Sequence, residues 1–140
     1  MNVLFDTNVV LDVLLDRAPF SRAALQLFSK VERGELRGLI CATTVTTILY
    51  LTTKALDAHR AVGYIQKLLD LFAIAAVNRP VLTAALESGF ADFEDAVIDA
   101  AAHYADADAI VTRNGKDFER ATRPIYTPDD LLRILAARQR

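Results

Sequence analysis

Two kinds of apolar pattern alternate along the chain: short continuous runs, and longer stretches with apolar residues at helical spacing. Val3 to Phe5 is a run that stops at Asp6 and predicts a buried strand. Asn8 then opens a helix carrying Val9, Leu11, Val13, Leu14 and Leu15, which Pro19 breaks. A second helix is expected from Ser21, with Leu25, Phe28 and Val31 on one face and Gly34 as its stop. Leu39 to Ala42 predicts the second strand. Thr43 to Leu56 mixes signals: its β-branched residues favour a strand, but its length favours a helix, and helix is the reading adopted. Asp57 caps the next helix, with Val62, Ile65, Leu68, Leu69 and Phe72 inward.

Ala73 to Val77 predicts a third strand, and Asn78 and Pro80 start a helix carrying Val81, Leu82, Ala85 and Leu86. Phe93 to Tyr104 has a strong helical period through Phe93, Val97, Ala100, Ala101 and Tyr104. Ala109 to Val111 is the fourth strand, ended by Asn114-Gly115, and Lys116 to Arg120 forms a short helical turn. Thr127-Pro128-Asp129-Asp130 combines a cap, a proline at the first helical position and an acid at the third, which starts the last helix. Apolar strands alternating with helices imply a central parallel sheet covered on both faces, in one domain over residues 1–140. In such folds ligands bind at the carboxyl ends of the strands.

Composition narrows the function. The net charge of −2 leaves no global basic field to attract nucleic acid, so a nucleic-acid site would need local charge or a metal. Cys41 is the only cysteine, which rules out a disulfide within the chain and suits a reducing cytoplasm; it lies in an apolar run and reads as core. The N-terminus lacks the basic start of a targeting segment. The longest uncharged stretch, Gly38 to Thr53, is shorter than the ~20 residues a membrane span needs.

The candidate chemistry lies in the acids. Asp6 ends the first strand. Asp92, Glu94 and Asp95 open the strong helix, with Asp99 one turn on, and Asp117 follows the fourth strand just after Asn114. A parallel sheet would gather these distant positions at one edge. Clustered carboxylates repel one another unless a cation lies between them, and a hard divalent ion with oxygen ligands suits that role. Each acid also has an ordinary reading: Asp6 and Asp92 as helix caps, Glu94 as first-turn dipole complement, Asp95 and Asp99 as a solvated face, Asp117 as a partner of Arg113 or Arg120. No glycine-rich phosphate loop, Cys-x-x-Cys pair or histidine-rich site competes, and His59 and His103 read as packed or surface residues.

Three motifs together resemble the PIN domain, and most nearly its bacterial VapC-like branch. They are Asp6-Thr7-Asn8 after a Val-Leu-Phe strand, Asp92-Phe93-Glu94-Asp95-Ala96, and Ile110-Val111-Thr112-Arg113-Asn114 followed by Lys116-Asp117-Phe118. The resemblance covers nearly the whole chain. It implies a three-layer α/β/α fold and Mg²⁺- or Mn²⁺-dependent cleavage of single-stranded RNA, leaving a 5′-phosphate and a 3′-hydroxyl. Asp6, Asp95 and Asp117 match metal-holding acids, and Asn114 falls where many members carry an acid. Thr7 and Asn8 match the polar residues that steady the first strand end, with Thr112, Asp92 and Glu94 in support. One position departs. Members usually carry Glu or Asp in the helix after the second strand, and here that place falls on Thr47.

Arg113, Lys116, Arg120 and Arg123 are expected near the same strand end, where they would hold a phosphate backbone, and Tyr50 offers a base-stacking ring if it is not core. Toxin-like relatives form homodimers and are held by an antitoxin, so both partners are implied here by resemblance. Two rivals remain at this stage. One is a PIN-like module that has lost chemistry and binds RNA or protein, which the neutral Thr47 and Asn114 favour. The other is a phosphatase with Asp6 as nucleophile, which would want an acid where Asn8 stands.

Overall fold

The computed structural model describes residues 1–139. Its elements run β1 (Asn2–Phe5), α1 (Thr7–Leu14), α2 (Ser21–Glu32), β2 (Arg37–Cys41), α3 (Ala42–Ala55), α4 (Ala58–Leu71), β3 (Ala73–Ala75), α5 (Arg79–Glu87), α6 (Phe93–Tyr104), β4 (Ala109–Val111), a 3₁₀ turn (Gly115–Phe118), β5 (Ile125–Tyr126) and α7 (Pro128–Arg138). The five strands form one parallel sheet in the order β3-β2-β1-β4-β5. Every strand but the last is therefore followed by a crossover, as the alternating pattern requires. The three-layer α/β/α PIN-like fold expected from the sequence is the fold observed.

The pleat divides the core in two. Val3, Phe5, Ile40, Ala109 and Val111 face α1, α2, α4 and α7, while Leu4, Leu39, Cys41 and Ile110 face α5 and α6. On the first face Phe5, Phe28 and Phe72 pack edge to face, with centroids 5.0–5.8 Å apart. Gly38 makes this possible: a Cβ there would lie 2.4 Å from the Phe72 ring. On the second face the alanine-rich α6 lies close against the sheet through Ala96, Val97, Ala100 and Ala101.

Several expectations change in detail. The first helix begins at Thr7 and ends at Leu14, before Pro19. Ala42 opens α3 instead of closing the second strand, and the third strand stops at Ala75. The two-residue β5 carries too little pattern to be seen in advance. Leu25, Val62, Leu69, Leu82, Leu86, Phe93 and Tyr104 point outward, because the buried stripes run instead through Ala24, Leu27, Ala61, Leu68, Val81, Ala85 and Ile98. Small alanines supply the close contacts that the sequence reading had assigned to larger side chains.

The strand order fixes where a ligand can enter. From β1 the chain steps to β2 and β3 on one side, then to β4 and β5 on the other. The crossovers part above the carboxyl ends of β1 and β4, which is the crevice where open α/β sheets bind ligands.

Candidate functional site

Asp6 lies at that crevice. It is the N-cap of α1, with Oδ1 accepting from the Thr7 amide at 2.8 Å, so its ordinary capping role is real. Its Oδ2 accepts from the Thr112 hydroxyl at 2.7 Å, across from β1 to the end of β4. The residue is buried, and burial raises its pKa above the ordinary carboxylate value; the two hydrogen bonds oppose the rise, and the like charge of Asp117 adds to it.

Asp95 sits in the first turn of α6. Its pKa is pushed up from 3.8 to about 7, first by burial and then by the like charges of Asp6, Asp92, Asp117 and Glu94. Five acids from three separate chain segments thus act on one another at one end of the sheet. Asp92 caps α6 by accepting from the Asp95 amide at 3.2 Å. None of Asp6, Asp95 and Asp117 forms an ion pair among the described residues.

The first turn of α6 divides two clefts. Asp92, Asp95, Lys116, Asp117 and Arg120 line one of about 200 Å³, with Arg120 lying across the turn at Gly89. Thr7, Thr47 and Glu94 line the other, of about 280 Å³. Glu94 therefore shares a cleft with the neutral residue at the departing position. Thr47 itself donates to the Thr43 carbonyl at 3.3 Å. Asn114 is exposed, and its backbone N–H donates to the Thr112 hydroxyl at 3.1 Å.

A polar link behind Asp6 was not read from the sequence. Asn8 donates to the Thr112 hydroxyl and accepts from the Arg113 amide, both at 3.3 Å. One turn on, the fully buried Asp12 accepts from Arg113 Nε at 2.6 Å and Nη2 at 3.1 Å, and from Arg17 Nε at 2.9 Å. The spacing of Asn8 and Asp12 put them on one face of α1, which was the available signal.

Other expectations move. Arg123 is far from the acidic end: it holds the C-terminal end of α6 through His103, at 3.2 Å to both Nδ1 and the carbonyl, because its loop has turned back toward the start of β5. Asp99 is buried, not a solvated face, and accepts from the Thr122 amide and hydroxyl. Tyr50 is exposed, with Lys54 Nζ 4.6 Å from its ring centre, so core packing is not its role. His59 is exposed.

Among the described residues, no three His, Cys, Asp or Glu side chains are drawn together as a ready metal cage. The donor set still fits a hydrated hard cation. Such an ion keeps several waters and needs one or two direct carboxylates, and the repulsion felt at Asp95 is what it would relieve.

A family model described as PIN domain matches residues 2–116. The chain belongs to the PIN-domain family. None of the curated protein sequences matches it at a significant level. Among solved structures, the PIN domain is similar to VapBC2 from Rickettsia felis bound to a promoter DNA fragment, with a TM-score of 0.70 at 15% identity, covering 91% of this chain and 98% of that one. It is also similar to VapBC-1 from nontypeable Haemophilus influenzae, with a TM-score of 0.70 at 15% identity over 92% and 99%. A toxin–antitoxin complex from Klebsiella pneumoniae gives 0.68 at 25% identity over 90% and 97%. The VapC-like resemblance of the motifs thus extends to the fold. No helix of this PIN domain is long and apolar enough to cross a membrane, among the described residues.

Proposed function

We propose that this PIN domain is a metal-dependent endoribonuclease that hydrolyses phosphodiester bonds of single-stranded RNA, acting in the cytoplasm as the toxin of a toxin–antitoxin pair. One observation carries the reading: Asp6, Asp95 and Asp117 converge from three chain segments without ion-pair partners. In this reading Asp6 and Asp95 would hold Mg²⁺ or Mn²⁺, with Asp117 and Asn114 in support. A bound cation supplies Lewis-acid charge for the scissile phosphate and its attacking water. Thr112 and the Thr7 amide fix both oxygens of Asp6, so its carboxylate is oriented before any ligand arrives. Asn8 steadies Thr112 from behind. Lys116 and Arg120, on the rim of the acidic cleft, offer charge to the phosphate backbone.

The toxin reading draws on the similarity to the toxin–antitoxin complex from Klebsiella pneumoniae. Tyr50, Leu82, Leu86 and Phe93 are exposed apolar groups available to an antitoxin or to a second copy in a homodimer.

The test is incubation of the purified protein with structured and unstructured RNAs, in Mn²⁺ or in EDTA, alongside Asp6→Asn. Cutting of unstructured RNA in Mn²⁺ alone, lost in the variant, is expected; equal cutting by the variant would sink the reading. A second reading, a PIN-like module without chemistry, is favoured by the neutral Thr47 and Asn114. It predicts no calorimetric Mn²⁺ binding that Asp6→Asn and Asp95→Asn abolish. The phosphatase alternative has no acid to use at Asn8, whose amide is already committed to Thr112 and Arg113.

A further inference from the structure

The acidic cleft, at about 200 Å³, is smaller than the roughly 300–1,000 Å³ of sites that enclose an organic ligand. It has room for a phosphate and little of the nucleoside attached to it. A larger cavity, about 670 Å³, opens where α2 and α7 begin, on the other face of the sheet, and Arg113, which follows β4, is in its wall. Ala23, Leu132 and Pro128 give this cavity an apolar floor, and Gln26 and Thr127 place hydrogen-bonding groups at its edge. Arg22 and Arg113 outnumber Asp129 among its charged groups.

Arg113 ties this cavity to Asp6. It directly follows Thr112, whose hydroxyl binds Asp6, and it also lines the larger cavity. Asp12 takes its Nε and Nη2, and its guanidinium lies 3.9 Å over the Phe20 ring. Its Nη1 has no protein acceptor among the described residues. The side chain is therefore held in place with Nη1 uncommitted, in the wall of the larger cavity. A guanidinium held in this way suits a phosphate oxygen.

We propose that this cavity is a nucleoside subsite: it seats the base of the nucleotide adjoining the scissile phosphate of a single-stranded RNA, while Arg113 Nη1 holds the linking phosphate. The proposal rests on the ribonuclease reading and adds to it the path of the strand. The base lies on the apolar floor, with its polar edge toward Gln26 and Thr127. Because hydrogen-bonding groups are few, the subsite favours a base of any kind over one sequence.

The experiment is a fluorescence titration with single-stranded octaribonucleotides, each carrying one 2-aminopurine, in Ca²⁺ with strand integrity followed on gels. Ala23→Trp fills the cavity, and Gln26→Ala trims its edge without adding bulk; circular dichroism melts report folding of both. Fluorescence enhancement at one position of the strand is expected with the native chain, because the base there leaves its stacked neighbours for an aliphatic floor. Ala23→Trp should remove it and weaken binding by about tenfold, the scale of one buried apolar group, and Gln26→Ala should weaken binding less. Equal enhancement and affinity in the native chain and both variants would overturn the subsite and leave RNA cleavage standing. If the native chain binds none of the strands, the subsite and the ribonuclease reading both fall.

Discussion

Asp6 does two jobs with one carboxylate, capping a helix and facing a crevice, and the same economy explains why its neighbours carry strained charge. Asp95 shows the consequence most directly. Its folded pKa of about 7 exceeds the ordinary 3.8, so between those values the folded state binds more protons than the unfolded one. Stability of the metal-free protein therefore falls as pH rises from about 4 to about 7. Thermal melts across that range should show the decline, and Asp95→Asn should lessen it while raising the midpoint at pH 8, the remainder coming from buried Asp6 and Asp99. The same substitution should cost activity more than the roughly 10–100-fold of a merely supporting residue. Asp12 behaves differently, since it is buried but doubly paired. Asp12→Ala leaves two arginines without their acceptor and is expected to cost about 3–5 kcal/mol in denaturant unfolding. The acids at strand ends were legible because their places follow from the strand pattern. Asp12 was not, because its main partner Arg113 is 101 residues away and its helical spacing from Asn8 gives only a face, not a partner.

At the scale of elements, caps and breaks read well from the sequence. Asp57, Asn78, Asp92 and Thr127 each accept from a backbone amide in the first turn of the helix they precede. Thr127→Ala should cost about 1 kcal/mol, measured by chemical denaturation, if the cap at Asp130 is worth its usual amount. Which face of a helix is buried read less well. On α5, Leu82 and Leu86 carry the larger apolar signal, yet Val81 and Ala85 are buried, because α5 packs against α6 and small residues allow the closer approach. Gly38 is a similar case. Its place in β2 looked unremarkable, but the Phe72 ring occupies the space a side chain would need. Gly38→Ala should destabilise by about 1–3 kcal/mol through overpacking, with a matching loss in thermal midpoint.

For the whole molecule, the alternation of strands and helices was enough to predict a parallel sheet, and the split between β1 and β4 then places the crevice without reference to any side chain. The division of that crevice into clefts was not legible, since it depends on how α6 and the loop after β4 approach each other in space. Charge is also a property at this scale. With a net charge of −2, the protein has little long-range attraction for RNA, and binding should depend on Arg113, Lys116 and Arg120. Three phosphate contacts on a single strand predict a slope of roughly −2 for log affinity against log salt, which titrations at several salt concentrations would measure.

Thr47 bears on the order of events. It brings a hydroxyl to a place where the motif resemblance implies a negative charge, so the proposed site would attract a cation less strongly than a full set of acids would. An RNA phosphate carries the missing oxygen and charge with it. Ion and strand should therefore recruit each other, and the gain must be equal in both directions. A nuclease of the proposed kind would idle until its target arrives, its metal supplied jointly by protein and substrate.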